Sequence, residues 1–285
     1  MRNIFYIFLT FVAVTRIRAD LNKNETEQIS MFEGETYWLV RHAYQWPVQL
    51  TTLDSNTIDP ATEKVVFLMH GWLDSRESGW YTTLTNSILE KYPTWNVIQV
   101  DWSTAASSLN YYIAAGNVMF VGQNVGTFIN NIFNTAIILQ LTKFYLLAIR
   151  LDPAFPPWNF NPCDLRLCES DAQYLTVIHT DVGTNGIIIP IGNADFYPND
   201  GTNQPGCELY PSISHTCNHM RAISLFIEGI QYPDHFTSTK CANYETYITN
   251  PSLCDGLTVH MADLFTEVEG IFYLRTNAQP PYSIN

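Results

Sequence analysis

Basic residues are scarce in this chain, which has 14 Lys and Arg against 27 Asp and Glu among 285 residues, a net charge of −13. This balance is typical of a soluble protein that does not bind nucleic acid, and it provides no attraction to an anionic membrane. Internal repeats and low-complexity tracts are also absent. Because hydrophobic residues make up 46% of the sequence, we expect a globular protein with a sizeable core.

Clustered metal ligands are absent as well. No C-x-x-C motif and no His pair at ligand spacing accompanies the six cysteines, so we expect no metal site and no cofactor. The cysteines form three close couples along the chain. Although about 15 pairings are possible, we expect neighbours to pair, as Cys163–Cys168, Cys207–Cys217 and Cys241–Cys254.

Residues 1–19 have the pattern of a secretory signal. Arg2 precedes an apolar run, Ile4–Val14, and Ala19 is a small residue at the expected cleavage point. The alternatives are a buried strand or a membrane anchor, but the run is too short to span a bilayer. We therefore expect a secreted, extracellular protein with a single domain over 20–285. Cleavage would remove three of the basic residues and no acidic one.

Apolar runs and helical patterns alternate along the rest of the chain. The strand runs are continuous rather than alternating, which indicates strands buried on both faces of a mostly parallel sheet. This order predicts an α/β fold with its ligand site at the carboxyl ends of the strands. Strands are expected at 36–40, 64–72, 95–102, 174–181 and 270–277, and helices at 78–92, 111–134 and 217–230.

Three short motifs could carry chemistry. In "MHGW" (69–72), glycine lets the backbone approach a ligand, and the amide of Trp72 could face a developing oxyanion. Asp152 ends a strand and could orient a histidine, and His219 follows Cys217 near a helix start. Each motif alone also fits an ordinary role, namely a tight turn, an Asp-Pro turn, or a surface or capping histidine.

Seven longer strings, taken together, resemble the pancreatic lipase family, particularly its insect-type lipase and phospholipase A1 branch. The resemblance covers about 36–285 apart from one gap. The strings are "VFLMHGWLDS" (66–75), "NVIQVDWS" (96–103), "NVMFVGQNVGTFI" (117–129), "LDPAFP" (151–156), "DAQYLTVIHTD" (171–181), "DFYPNDGTNQPGC" (195–207) and "CNHMRA" (217–222).

The resemblance implies an α/β-hydrolase fold with a triad in the chain order Ser, Asp, His. Asp152 matches the triad acid, His219 the triad base, and the Trp72 amide one oxyanion donor. The segment from Cys207 to Cys217 matches the lid, and its short length resembles phospholipase A1 more than a lid-gated triglyceride lipase. The implied partner is a lipid or phospholipid, with transient contact to a lipid surface.

The resemblance also bears on calcium, which some relatives bind in the loop that corresponds to 163–171. Here Cys163 and Cys168 stand at acidic ligand positions, while Arg166 and Asp171 remain. We interpret the cysteines as a disulfide that replaces the metal, and we expect no calcium.

The nucleophile of the family is missing. Family members have a strand, Gly-x-Ser-x-Gly, a helix, and a second strand that ends in Leu-Asp-Pro. Here 141–146 matches the first strand and runs directly into 147–153, and Gly-x-Ser-x-Gly occurs nowhere, since Ser103 lacks the glycine frame. The chain therefore lacks one central βα unit. We expect a single strand over 143–151, a destabilised sheet and no hydrolysis.

Three interpretations of function remain. The favoured one is a gene for a secreted carboxylic ester hydrolase, of which this chain is an exon-skipped or misread product. The second is a non-catalytic lipid-binding member that resembles yolk proteins. The third is an enzyme with a different nucleophile near His219.

A membrane span over 132–149 is disfavoured because Gln140 and Lys143 interrupt it.

Overall fold

The structure is a computed structural model of the full chain. It describes residues 3–9, 35–42, 46–50, 64–138, 144–154, 172–209, 214–264 and 266–284.

The described residues form a strand-rich α/β unit. The strands are β1 (Asn3–Leu9), β2 (Thr36–Val40), β3 (Val48–Leu50), β4 (Val65–Met69), β5 (Asn96–Asp101), β6 (Phe144–Leu151), β7 (Tyr174–Ile178), β8 (Ala194–Pro198), β9 (Thr237–Lys240), β10 (Thr258–His260) and β11 (Gly270–Leu274). The helices are α1 (Gly79–Lys91), α2 (Ser103–Ala106), α3 (Tyr111–Ile138), α4 (Ser214–Gln231) and α5 (Tyr244–Thr249).

All of these strands belong to one sheet in the order β10-β9-β11-β8-β7-β6-β1-β4-β5-β2-β3. The seven strands from β11 to β5 are parallel. Antiparallel strands extend the sheet at both ends. The predicted mostly parallel α/β sheet is confirmed, and the carboxyl ends of its parallel strands share one edge.

Helices cover both faces of the sheet. Successive residues of a strand point to opposite faces, so Val66 and Leu68 of β4 pack in the layer that contains α1 and α4. Val65, Phe67 and Met69 pack in the layer that contains α3. All five residues of β4 are buried. The sequence predicted this doubly buried strand from its continuous apolar run.

The expected single strand over 143–151 is present as β6. It pairs in parallel with β7 on one side, from Leu147 opposite Tyr174 to Leu151 opposite Ile178. Its other side pairs with β1. The family's central βα unit is therefore not inserted at this point of the chain.

Residues at the N-terminus fill the expected gap in the sheet. Strand β1 lies between β4 and β6, parallel to both, with Leu9 opposite Met69 on one side and Arg150 on the other. The sequence had predicted these residues as part of a cleaved signal, with a buried strand as the alternative. A chain that has lost residues 1–19 cannot keep β1, so the two assignments exclude each other in one molecule.

No helix among the described residues is long and apolar enough to cross a membrane. The span considered over 132–149 contains the end of α3 and the start of β6, and 139–143 lie outside the described residues.

Candidate active site

The candidate site lies at the carboxyl edge of the parallel strands. Leu9 of β1 pairs with Met69 of β4 on one side and with Arg150 of β6 on the other. The residues that follow β4 and β6 therefore lie at the same level of the sheet, two strand spacings or about 10 Å apart. This brings the predicted oxyanion loop and the predicted triad acid to one edge.

Asp152 lies directly after β6 and is fully buried. Its backbone has φ of +48°, which is uncommon for a residue with a side chain. Backbone amides hold this conformation, because the Asp152 N–H donates to the Ile178 carbonyl at 2.7 Å. The carboxylate Oδ1 accepts hydrogen bonds from the amides of Thr180 (2.6 Å) and Asp181 (3.0 Å). One oxygen of the carboxylate is thereby fixed.

The second oxygen of Asp152 contacts His219. His219 Nδ1 lies 2.5 Å from Asp152 Oδ2, and the histidine is 8% exposed. A carboxylate held at Nδ1 orients an imidazole so that Nε2 can accept a proton from a nucleophile. The two residues are 67 positions apart in sequence, and the structure brings them together as the resemblance implied.

Helix α4 carries His219 and begins at Ser214, three residues before the predicted start. A disulfide from Cys217 to Cys207 ties this helix to the preceding segment. Arg221 donates to the Pro205 carbonyl at 3.0 Å, and its guanidinium lies 4.5 Å from the ring centre of Tyr282. The backbone around His219 is thus fixed from several sides.

The loop after β4 begins at His70, which is fully buried. The Trp102 ring stacks on the His70 ring at 5.6 Å between centroids, and its indole N–H donates to the His70 carbonyl at 2.7 Å. His70 Nε2 lies 3.0 Å from Asp101 Oδ1. These contacts join the end of β4 to the end of β5.

Asp101 is an anion in this setting. Burial by itself would raise its pKa, but hydrogen bonds from His70 and Ser103 outweigh burial and lower the pKa to about 2. The charged form is therefore maintained at any pH at which the protein is expected to work. A fixed carboxylate at this point supports the geometry of the neighbouring loop.

Trp72 and Leu73 form the outer part of the loop. The Trp72 indole donates to the Ser108 carbonyl at 2.7 Å, and its ring meets Tyr111 edge-on at 5.1 Å. The Leu73 amide donates to the Ala106 carbonyl at 3.1 Å. Leu73 has φ of +54° and is half exposed. Strained backbone of this kind persists only where its surroundings hold it, and it is often found at functional sites.

The other predicted site residues are placed as follows. Cys207–Cys217 and Cys241–Cys254 are disulfides, as predicted. The predicted pair Cys163–Cys168 lies outside the described residues, as does the whole of the 163–171 loop. Residues 210–213 of the lid segment lie outside them too. Among the described residues there is no cluster of three or more groups that could hold a metal.

Sequence reasoning missed the residues that hold the acid in place. Thr180 and Asp181 were assigned to a strand end, and Gly186 was not considered. A Cβ atom on Gly186 would lie 2.5 Å from Asp152 Oδ1 and 2.7 Å from Oδ2. The position of "HTD" at the carboxyl end of β7 was the available signal, because ligands and catalytic groups gather there in parallel sheets.

We expect Gly186→Ala to displace the Asp152 carboxylate. A substitution that crowds a packed interior costs about 1–3 kcal/mol, and thermal unfolding should show a Tm lower by several degrees. The matched control is Gly116→Ala on α3, where a Cβ atom meets nothing within 4 Å. Alanine in that helix should stabilise the protein by about 0.5–1 kcal/mol. An unchanged Tm for Gly186→Ala would contradict the close approach.

One large groove lies elsewhere in the described part of the molecule. It has a volume of about 590 Å³ and is lined by residues of β2 and α1 and their neighbours, among them Arg41, Trp46 and Arg76. Asp152 and His219 do not line it. The groove is therefore separate from the candidate active site.

A parallel sheet with a buried Asp–His pair at its carboxyl edge is typical of an α/β hydrolase. A family model described as Lipase matches residues 19–139 and 148–282. The chain belongs to the lipase family. The two matched blocks are separated by 140–147, which contain the expected join near Leu146 and Leu147.

Curated relatives agree with this family. The chain is 33% identical over 223 residues to phospholipase A1 of Vespa velutina, covering 64% of this chain and 72% of that one. It is 30% identical over 214 residues to lipase member H-A of Xenopus laevis, covering 65% and 45%. It is 29% identical over 270 residues to lipoprotein lipase of Sus scrofa, covering 78% and 56%. It thus spans about half the length of the last two proteins.

Proposed function

We propose that this chain is a secreted carboxylic ester hydrolase of the lipase family, of phospholipase A1 or triacylglycerol lipase type, that is inactive in its present form because its nucleophile segment is absent. The observation that carries the proposal is the buried Asp152–His219 pair, with Nδ1 and Oδ2 2.5 Å apart, at the carboxyl edge of the sheet. The names of the relatives, phospholipase A1 and lipoprotein lipase among them, support lipid esters as the substrate class.

Each retained group has a proposed role in the ancestral reaction. His219 is the general base, Asp152 orients it, and the Trp72 amide is one donor to the oxyanion. The segment between Cys207 and Cys217 is the lid. The missing Gly-x-Ser-x-Gly segment removes both the nucleophile and the amide that follows it. The base then has no hydroxyl group in its family position to activate.

Secretion is part of the proposal. Two disulfides are present among the described residues, Cys207–Cys217 and Cys241–Cys254. Disulfides form and persist in oxidising compartments such as the secretory pathway.

The test is an assay of the full chain on phosphatidylcholine and on a triacylglycerol, with a fluorophosphonate probe for an activated serine. We expect hydrolysis at background and no labelling, because loss of the nucleophile costs about 10⁶ in rate in a related triad enzyme. Turnover that His219→Ala abolishes would show that another group replaces the serine. Thr10→Ala should then be tested first, because Thr10 follows β1 in the sequence.

A non-catalytic lipid-binding role is the second candidate. The sequence alone argued against a binding role, because a sheet without its central strand would not form an intact ligand pocket. The continuous strand order from β6 through β1 to β4 removes that objection. Binding of a fluorescent phosphatidylcholine by the full chain, with no release of fatty acid, would favour this role over a merely damaged product.

A further inference from the structure

The first turns of α3 present apolar side chains to solvent. We call Leu109, Tyr112, Ile113, Met119 and Phe120 the α3 patch, and these side chains are 85%, 67%, 56%, 39% and 43% exposed. At 100° per residue, the four helical members fall within an arc of about 120°. The opposite side of the helix is buried, at Ala114, Val118, Val121 and Val125. The helix is therefore apolar on both sides near its N-terminal end.

The stretch of chain that carries the α3 patch contains no charged residue. No Asp, Glu, Lys, Arg or His occurs in the 41 residues between Asp101 and Lys143. At 14% charged residues overall, a stretch of this length would hold about six. Further along the helix the exposed positions become polar but stay uncharged, at Gln123 and Thr127. A neutral face of this size is unusual in a chain with a net charge of −13.

The α3 patch adjoins the proposed oxyanion loop. The Trp72 indole binds the Ser108 carbonyl, and the Leu73 amide binds the Ala106 carbonyl, so the loop after β4 is joined to the residues just before α3. Leu73 is itself 50% exposed and lies in the loop that follows β4 at the carboxyl edge of the sheet. A molecule bound at the α3 patch would therefore lie next to the proposed oxyanion loop.

We propose that the α3 patch, with Leu73, is the face by which this protein lies on the surface of a neutral, zwitterionic phospholipid. This inference rests on the proposed function and adds the contact surface and the lipid charge. Apolar side chains enter the boundary between headgroups and acyl chains, and tyrosine is enriched at that depth. An acidic protein gains nothing from an anionic surface, and a charge-free contact face lets it bind without electrostatic attraction or repulsion.

The test is sedimentation of the full chain with sucrose-loaded vesicles of a diether phosphocholine lipid, which offers headgroups and chains but no carboxylic ester to cleave. The patch variant is Leu109→Ser with Ile113→Ser. The matched control is Ile248→Ser with Leu253→Ser, because these side chains are 44% and 71% exposed and belong to α5 and the turn after it. We expect the patch variant to bind at least tenfold more weakly and the control to stay within twofold of the parent.

Salt and assembly state complete the test. Raising NaCl from 0.05 to 0.5 M should change vesicle binding less than twofold, because no charged group takes part. Equal binding by the two double variants would overturn the proposal, and so would binding that requires anionic lipid. A parent dimer that becomes monomeric in the patch variant, with vesicle binding unchanged, would assign the patch to a second copy of the chain. The hydrolysis assay is independent, because these vesicles contain no carboxylic ester.

Discussion

Removal of residues 1–19 should leave this chain unable to fold cooperatively. Strand β1 pairs over five positions with β4 and over seven with β6. Without it, both neighbours lose their partner in the middle of the sheet, and buried backbone N–H and C=O groups are left without hydrogen bonds. Each such group costs about 1–3 kcal/mol, so the loss of these paired positions together is comparable to or larger than the 5–15 kcal/mol by which a typical domain is stable.

The experiment compares the full chain with 20–285 by thermal and urea denaturation after oxidative folding. A proline scan provides the matched control, because proline removes a ladder hydrogen bond only inside a strand. Tyr6→Pro, in the middle of β1, should abolish the cooperative transition, whereas Thr15→Pro, beyond the strand, should leave it in place. If 20–285 is monomeric and unfolds in one sharp, reversible transition, β1 is dispensable and the signal-peptide prediction prevails.

Signal-peptide cleavage and the pairing of β1 cannot both occur in one folded molecule. A signal peptidase that cleaves after Ala19 would remove β1 from the molecule. A chain of this form that is secreted in a folded state should therefore retain its N-terminus. N-terminal sequencing of the secreted protein decides between the two, because the first residue is either near 1 or near 20.

Much of the fold could be predicted from the sequence because its signals are local. The doubly buried strands β4 and β5 are continuous apolar runs, and α1 shows a helical apolar spacing that buries Tyr81, Leu84 and Ile88. The place of β1 could not be predicted in this way. A short apolar run has the same pattern in a signal, an anchor or a buried strand, and only pairing with distant strands distinguishes them.

In the candidate site too, some residues could be identified from the sequence and others only from the structure. Asp152 and His219 were identified through the family resemblance, and the structure brings them into contact. Their supports are tertiary, namely the amides of Thr180 and Asp181 and the close approach of Gly186. Nothing in the local sequence specifies which carboxylate two distant amides will face. The exposure of the α3 patch could not be predicted either. Helical periodicity identifies apolar positions but does not show which of them remain exposed when two sides of the helix are apolar.

Insertion of the family's missing unit between Leu146 and Leu147 should restore hydrolysis. The inserted segment is the end of a strand, Gly-x-Ser-x-Gly and its helix. The serine hydroxyl would then enter the edge where Asp152 already holds His219 at 2.5 Å, and the amide after it would join that of Trp72 at the oxyanion. Loss of the nucleophile alone costs about 10⁶ in rate. We therefore expect ester hydrolysis to rise by about 10⁴ to 10⁶ over the parent chain.

The measurement is release of fatty acid from phosphatidylcholine, with fluorophosphonate labelling of the new serine. The matched control carries the same insertion with alanine at the serine position and should fold equally well without activity. Adding His219→Ala to the active chain should remove nearly all of the gain, because serine and histidine act as a unit. A folded, labelled chain whose activity survives His219→Ala would refute the assigned role of this histidine.

The same insertion also tests the role of β1. The restored strand belongs between β4 and β6, the position that β1 now occupies. Two strands cannot pair with the same two edges, so the inserted strand should displace β1. Removal of 1–19 should then be harmless in the restored chain, although it abolishes folding in the parent. If the restored chain is active but still requires 1–19, β1 is not a substitute for the missing strand, and its contribution to folding lies elsewhere.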